Sequence, residues 1–189
     1  IKTATATQFL IDNFDLNYVI DTGAAGALNE KIPPFSVLTG VRSYEYDVLS
    51  GEEFSSISSD LITETVITEE DSLAVMEDFI NEISGSIKIM TGNIAAGEKN
   101  VNNAVFRDLL NMRLNADICN WESSAVLKTA ELNGINSLSF RVITDLADKN
   151  MEDDLEKNWN QALDILYNVL NDFIYQGWLK KINNIKKGC

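Results

Sequence analysis

The sequence predicts an α/β domain with a mainly parallel sheet flanked by helices. Three observations point there. Strand-like apolar runs alternate with amphipathic, helix-length segments through the chain. Several of the strand-like runs end in glycine-rich or acidic loops, the place where open α/β sheets hold their ligands. A chain of 189 residues can bury a real core in one unit, so residues 1–189 are read as a single domain.

Taken in order, residues 1–14 set Ala4, Ala6, Phe9, Leu10 and Phe14 on roughly one helical face. Residues 17–20 form a short apolar strand, and residues 21–27 a small-residue turn. Gly23 and Gly26 let backbone come close to a neighbour there; the turn either offers N–H groups to an oxygen-rich ligand or is simply tight. After Pro33 and Pro34, residues 35–49 read as one or two strands, with Arg42, Tyr44 and Asp47 on a pocket rim or a solvated edge. Residues 51–68, rich in Ser, Thr and Glu, read as a surface excursion. Glu69 opens a helix with an acidic first turn, in which Leu73, Met76, Phe79, Ile80 and Ile83 recur at helical spacing. Residues 86–90 alternate as a strand before a second glycine-punctuated loop over 91–100. A helix over 102–114 contains Val105, Leu109, Leu110 and Met112, and residues 115–119 are a brief strand. Residues 121–132 form a helix that Gly134 closes, and 137–143 the next strand. From 154 to 182 runs one long amphipathic helix on Leu155, Trp159, Ala162, Leu163, Leu166, Val169, Leu170 and Phe173, with a break near Gly177.

Composition narrows the chemistry. A net charge of −14 argues against a nucleic-acid backbone as partner, because phosphate binding is driven by Lys and Arg. It is compatible with a neutral or cationic small ligand, although most acidic proteins are simply soluble. No apolar run reaches the roughly 18 residues of a membrane span, so no membrane partner is expected. Histidine is absent, which excludes Ser-His-Asp and Cys-His mechanisms and any zinc site built on histidine. No metal and no cofactor is expected, and acid–base work falls to carboxylates, Lys, Tyr or Cys. Two cysteines make no disulfide framework: Cys119 reads as a small buried hydrophobe, Cys189 as a frayed end, and a reducing cytoplasm is the default. The chain opens on Ile1, with no initiator Met and no signal-peptide layout, and reads as a processed or truncated product.

Residues 117–148 concentrate the candidate chemistry. They read as strand end, helix, strand and acidic loop, with Glu122 at the start of the helix and Asp145 just past an apolar strand. Both carboxylates face the ligand side of an α/β sheet. Each also has a plain structural reading: Glu122 as a helix cap, and Asp145 in a turn with Asp148.

Four stretches resemble the nucleoside phosphorylase/nucleosidase superfamily, in the same order and at similar spacing. Residues 22–28, Thr-Gly-Ala-Ala-Gly-Ala-Leu, resemble its Thr-Gly-Ser-Ala-Gly-Gly-Leu turn. Residues 92–98, Gly-Asn-Ile-Ala-Ala-Gly-Glu, are similar to its Gly-x-Ile-x-Ser-Gly-Asp loop. Residues 120–124, Asn-Trp-Glu-Ser-Ser, resemble the Glu-Met-Glu-Ala segment, and residues 141–148, Arg-Val-Ile-Thr-Asp-Leu-Ala-Asp, its Arg-Ala-Ile-Ser-Asp-x-Ala-Asp. Residues 42–48 also fit an Arg-x-x-x-x-Asp-Val strand. The branch that looks most similar is that of the methylthioadenosine/S-adenosylhomocysteine nucleosidases.

The resemblance implies a three-layer sandwich with a central, mostly parallel mixed sheet, no cofactor, a small purine nucleoside as partner and a homodimer. It makes Asp145 the general acid that protonates purine N7, with a pKa lifted by burial. Glu122 would accept hydrogen bonds from the ribose diol, and Trp121 would pack on the sugar. Asn100 and Val101 would lie by the base, with Leu155 where the family uses an aromatic. Arg141 would order the acidic loop, and Ala24 stands where the turn has serine. The chain departs from the pattern at Ala24, at residues 96–98, and at Asn100 in place of the base-stacking aromatic. The family's first βα segment, which carries the glutamate that activates water, would precede Ile1. The leading expectation is hydrolysis of a purine nucleoside's N-glycosidic bond, by an enzyme whose water-activating segment this chain lacks. Phosphorolysis ranks lower for want of arginines at an anion site, and a non-catalytic nucleoside-binding or storage protein is the third reading.

Overall fold

A computed structural model of the chain describes residues 2–47, 64–66, 70–83, 85 and 87–186. The elements run α1 (Lys2–Asn13), β1 (Tyr18–Ala27), β2 (Val37–Glu45), β3 (Glu64–Val66), α2 (Glu70–Ile83), β4 (Ile89–Ala96), α3 (Ala104–Leu114), β5 (Ile118–Asn120), α4 (Ser123–Leu132), β6 (Asn136–Asp145), α5 (Met151–Tyr175) and α6 (Trp178–Lys186). The alternation read from the sequence is the alternation of the fold. Expectations for Val48, residues 51–63 and 67–69, and Cys189 lie outside the described residues. Within the supposed surface excursion, residues 64–66 form β3 on the edge of β2.

The long pairings of β1 with β6 and β2 with β4 are parallel, as is the short β4–β5 pair. β1–β5, β2–β3 and β2–β6 are antiparallel. The sheet order is β3-β2-β4-β5-β1-β6, and β2 returns to β6 through Val37–Val142, Leu38–Arg141 and Thr39–Phe140. The sheet is mixed, as expected, and this last pairing adds what the expectation of a three-layer sandwich did not contain: the sheet curls shut. The register slips between Ala25 and Gly26 of β1, and between Gly40 and Arg42 of β2. Such bulges bend strands and add to their twist, which brings distant sheet edges together. An alternating pattern of hydrophobicity carries no sign of closure.

Two supposed loops are strands. β1 runs through the small-residue stretch 21–27, and β4 through residues 91–96. Glycine and alanine have poor strand propensity, but both edges of β1 and of β4 are paired. Helices α2, α5 and α6 bury Met76, Phe79, Leu166, Val169, Phe173, Trp178 and Ile182 against Phe140 and Val142 of β6. Phe79 sits at the centre, edge-on to Phe173, Trp178 and Phe140 at centroid distances of 5.0, 5.7 and 6.4 Å. Gly177, at φ 83°, breaks α5 from α6 where the sequence placed the break. A second cluster of smaller residues joins Ala25, Ala27, Leu38, Ile94, Ala96, Ile118 and Ile143 with Leu127 of α4.

Helix α1 forms where the spacing places it. Phe9, Leu10 and Phe14 are 61, 47 and 57% exposed, while Thr7 is buried, so these three side chains join no core among the described residues. The helix packs on α4 instead, where Gln8 and Asn133 exchange hydrogen bonds. Val105 and Met112 of α3 are exposed as well. Among the described residues, no helix is long and apolar enough to cross a membrane.

Candidate active site

A cavity of about 690 Å³ opens between β1, the ends of β5 and β6, and the starts of α1 and α5. Its wall contains all the site residues expected from the sequence: Ala24, Asn100, Val101, Trp121, Glu122, Arg141, Asp145 and Leu155. Val101 is buried, Leu155 is partly buried, and Asn100 and Trp121 are exposed on the wall. Asp21, Asn120, Thr144, Glu152 and Trp159 also line it, and sequence reasoning assigned none of them to the site.

Asp145 is the last residue of β6 and is 4% exposed. Its partner in the register is Gly26, whereas the preceding pair is Ala25–Ile143, so Thr144 is the extra residue of a bulge. The bulge breaks the in–out alternation, and Thr144 and Asp145 both reach the cavity. The Asp145 carboxylate accepts from the Thr144 hydroxyl at 2.9 Å and from the Ala147 N–H at 2.9 Å. Burial raises its pKa above the ordinary aspartate value. Those two hydrogen bonds pull the other way, and the charges of Asp154 and Asp148 add to the rise. The turn expected with Asp148 is made with Ala147 instead, while Asp148 accepts from Asn150 N–H. Cys119 lies beside this acid as a buried thiol, pushed upward in pKa by burial and then by the Asp145 charge, and so stays neutral.

The glycines of β1 answer to this geometry. A Cβ on Gly26 would stand 2.7 Å from an Asp145 oxygen, and one on Gly23 would stand 2.7 Å from Arg141 Nη1. The close approach predicted at these positions is therefore made by two charged side chains packing across the strand. Gly23 also adopts φ 154°, which disfavours other residues.

Glu122 occupies the N-cap position of α4, but its side chain makes no capping bond. Asn120 does that work, its side-chain oxygen accepting from the N–H groups of Glu122 at 3.0 Å and Ser123 at 2.9 Å. The Glu122 carboxylate is left on the cavity wall with Arg141 Nη1 3.3 Å away. Arg141 also differs from its expected part. Its hydrogen bonds run to Asp21, Glu122 and the carbonyl of Ala24, not to the loop at 145–148. Asp21 was legible in principle: it is a lone charge closing the apolar run Tyr18–Ile20, as Arg141 is a lone charge within Leu138–Ile143. Opposite charges on two apolar strands imply a pair.

The fold and the composition of this wall define a class. A family model described as the phosphorylase superfamily matches residues 2–175, and the chain belongs to that family. Among individual relatives, a 5′-methylthioadenosine/S-adenosylhomocysteine nucleosidase of Thermotoga maritima is 28% identical over 183 residues, covering 96% of this chain and 75% of the relative. The nucleosidase of the same name from Bacillus velezensis is 25% identical over 173 residues, covering 86% and 71%. The solved structure of futalosine hydrolase from Helicobacter pylori strain 26695 superposes with a TM-score of 0.79 at 19% identity, covering 92% of this chain and 74% of that one. At that identity the likeness speaks for the fold alone.

Proposed function

We propose that the chain takes part in hydrolysing the N-glycosidic bond of a purine nucleoside of the methylthioadenosine or S-adenosylhomocysteine type, releasing the free base. One observation carries the reading: a buried carboxyl of raised pKa, Asp145, shares a 690 Å³ cavity with an uncapped carboxylate, Glu122. The two relatives named above support the substrate class.

In this mechanism the bond between the anomeric carbon and the base breaks, and its electron pair passes to the purine. Asp145 gives its proton to N7, so the base leaves neutral. Water adds to the anomeric carbon and gives up a proton to solvent, and Asp145 regains one from solvent, which leaves free base, free sugar and the acid restored. The sugar is positively charged in the transition state, and the Glu122 carboxylate near the ribose stabilises it while accepting from the hydroxyls. Trp121 covers the sugar, Val101 and Asn100 border the base, and Ala24 and Leu155 complete the contact surface.

Hydrolysis is favoured over phosphorolysis by the fate of the cations. Arg141 is the arginine of the cavity wall, and Asp21 occupies its fork. Lys99 on the same wall has its ammonium 4.9 Å from the centre of the Phe106 ring. Phe9, Leu10 and Phe14 are exposed on α1, whose Leu10 lines the cavity, and they support a homodimer in which a partner covers that face. The free thiol of Cys119 fits a reducing cytoplasm. The test is to incubate the protein with methylthioadenosine, with and without phosphate, and to follow adenine. Release without phosphate is expected. Release only with phosphate, or binding without release, would refute hydrolysis by this chain.

A further inference from the structure

Asp21 is the most heavily engaged buried carboxylate near the cavity. It is 4% exposed, yet it lines the wall. Its Oδ2 accepts from Ser123 Oγ at 2.6 Å, Ser139 Oγ at 2.8 Å and Arg141 Nε at 3.0 Å. Its Oδ1 accepts from Arg141 Nη2 at 2.5 Å. These bonds tie β1 to α4 and β6, the elements that carry Glu122 and Asp145.

We infer that Asp21 is a positioning residue for the sugar-binding carboxylate Glu122, acting through Arg141; the inference rests on the function proposed above. Two physical consequences follow from the geometry. First, Asp21 holds the Nε–Nη2 edge of the guanidinium, which leaves Nη1 to point at the Ala24 carbonyl and at Glu122. A planar fork gripped on one edge has little freedom on the other. Second, Asp21 takes up the arginine's charge. The Arg141–Glu122 contact stays long, at 3.3 Å, so Glu122 keeps acceptor capacity for a vicinal diol. Without Asp21 the full guanidinium charge would fall on Glu122, drawing it from the ribose and opening a site for anions. A pair that only filled the core would have no need to reach the cavity, and such pairs are often replaceable by apolar residues.

Asp21→Asn keeps the shape and removes the charge. Affinities of the full chain for methylthioadenosine and for its 2′,3′-dideoxy analogue are measured by calorimetry with Asp145→Asn present throughout, so that the nucleosides bind without turning over, and with thermal melting as a check on folding. Misplacing a ligand-binding group by a fraction of an ångström predicts a loss of about tenfold or more for the ribonucleoside. The dideoxy analogue, which makes no diol contact, should lose little, and millimolar inorganic phosphate should displace the nucleoside from the variant but not from the wild type. Should the variant not fold, Ser139→Ala, which removes one hydrogen bond from the same oxygen, should show a smaller loss confined to the ribonucleoside. An unchanged ratio between the two nucleosides in the folded variant overturns the positioning role. Wild-type protein that binds neither nucleoside overturns the functional reading itself, which is a different result.

Discussion

Replacing Gly26 by alanine should damage the leaving-group acid from the strand behind it. The new Cβ would stand 2.7 Å from Asp145 Oδ1 and 3.2 Å from the Ala147 Cβ, with Cys119 Sγ at 3.4 Å. Ordinary contact begins near 3.4 Å, so the carboxyl has to retreat by about 0.7 Å. It cannot do so freely, because the Thr144 hydroxyl and the Ala147 N–H hold its two oxygens. Overpacking of this kind costs about 1–3 kcal/mol of stability. A catalytic group displaced by 1 Å loses on the order of 10²-fold, so this retreat predicts about ten- to fiftyfold in turnover. The loss should fall on kcat more than on KM, since the acid acts as the bond breaks. Steady-state adenine release and a thermal melt measure both effects. Gly85→Ala is the control, because a Cβ there meets nothing within 4 Å. Wild-type kcat in Gly26→Ala, or an equal loss in Gly85→Ala, would refute the reasoning.

Asp145→Asn should abolish turnover yet raise the melting temperature at neutral pH. Burial raises the Asp145 pKa, so its ionisation costs the folded state more than the unfolded one. Its contribution to stability is full below the ordinary carboxylate range and is lost as pH rises through the raised value. The stabilisation by asparagine should therefore shrink as pH falls toward about 4, and a pH-independent difference would exclude this origin. In the wild type, turnover should decline as pH rises through the same ionisation, a decline that a pH–rate profile would reveal. Phe79→Ala removes a fully buried ring from contact with three aromatic neighbours and should cost about 3–5 kcal/mol in urea denaturation; a loss below 1 kcal/mol would mean that the site collapses to fill the void.

Local chemistry explains what could be read early. Helix α5 was legible because its apolar residues keep one face for 25 residues, and the break before α6 because glycine readily takes the positive φ that Gly177 adopts. The two acids stood out because they lie at element ends, and their functional reading came from the resemblance of residues 120–124 and 141–148 to the superfamily's segments. The spacing in α1 placed a helix but could not say what its apolar stripe meets, because such a stripe looks the same whether it faces this chain or another surface.

The sequence by itself determined the alternation of strands and helices, the exclusion of histidine chemistry, and the candidate acids Asp145 and Glu122. Those properties reside in residue identity and short-range spacing. Only the tertiary structure decided that the sheet closes through β2 and β6, and that Thr144 bulges so that Asp145 faces the cavity. It also set Asp21 on Arg141, residues 120 positions apart in the chain, where the two lone charges indicated only that each needs a partner. Pairings of that range depend on strand register and accumulated twist, which no local pattern encodes.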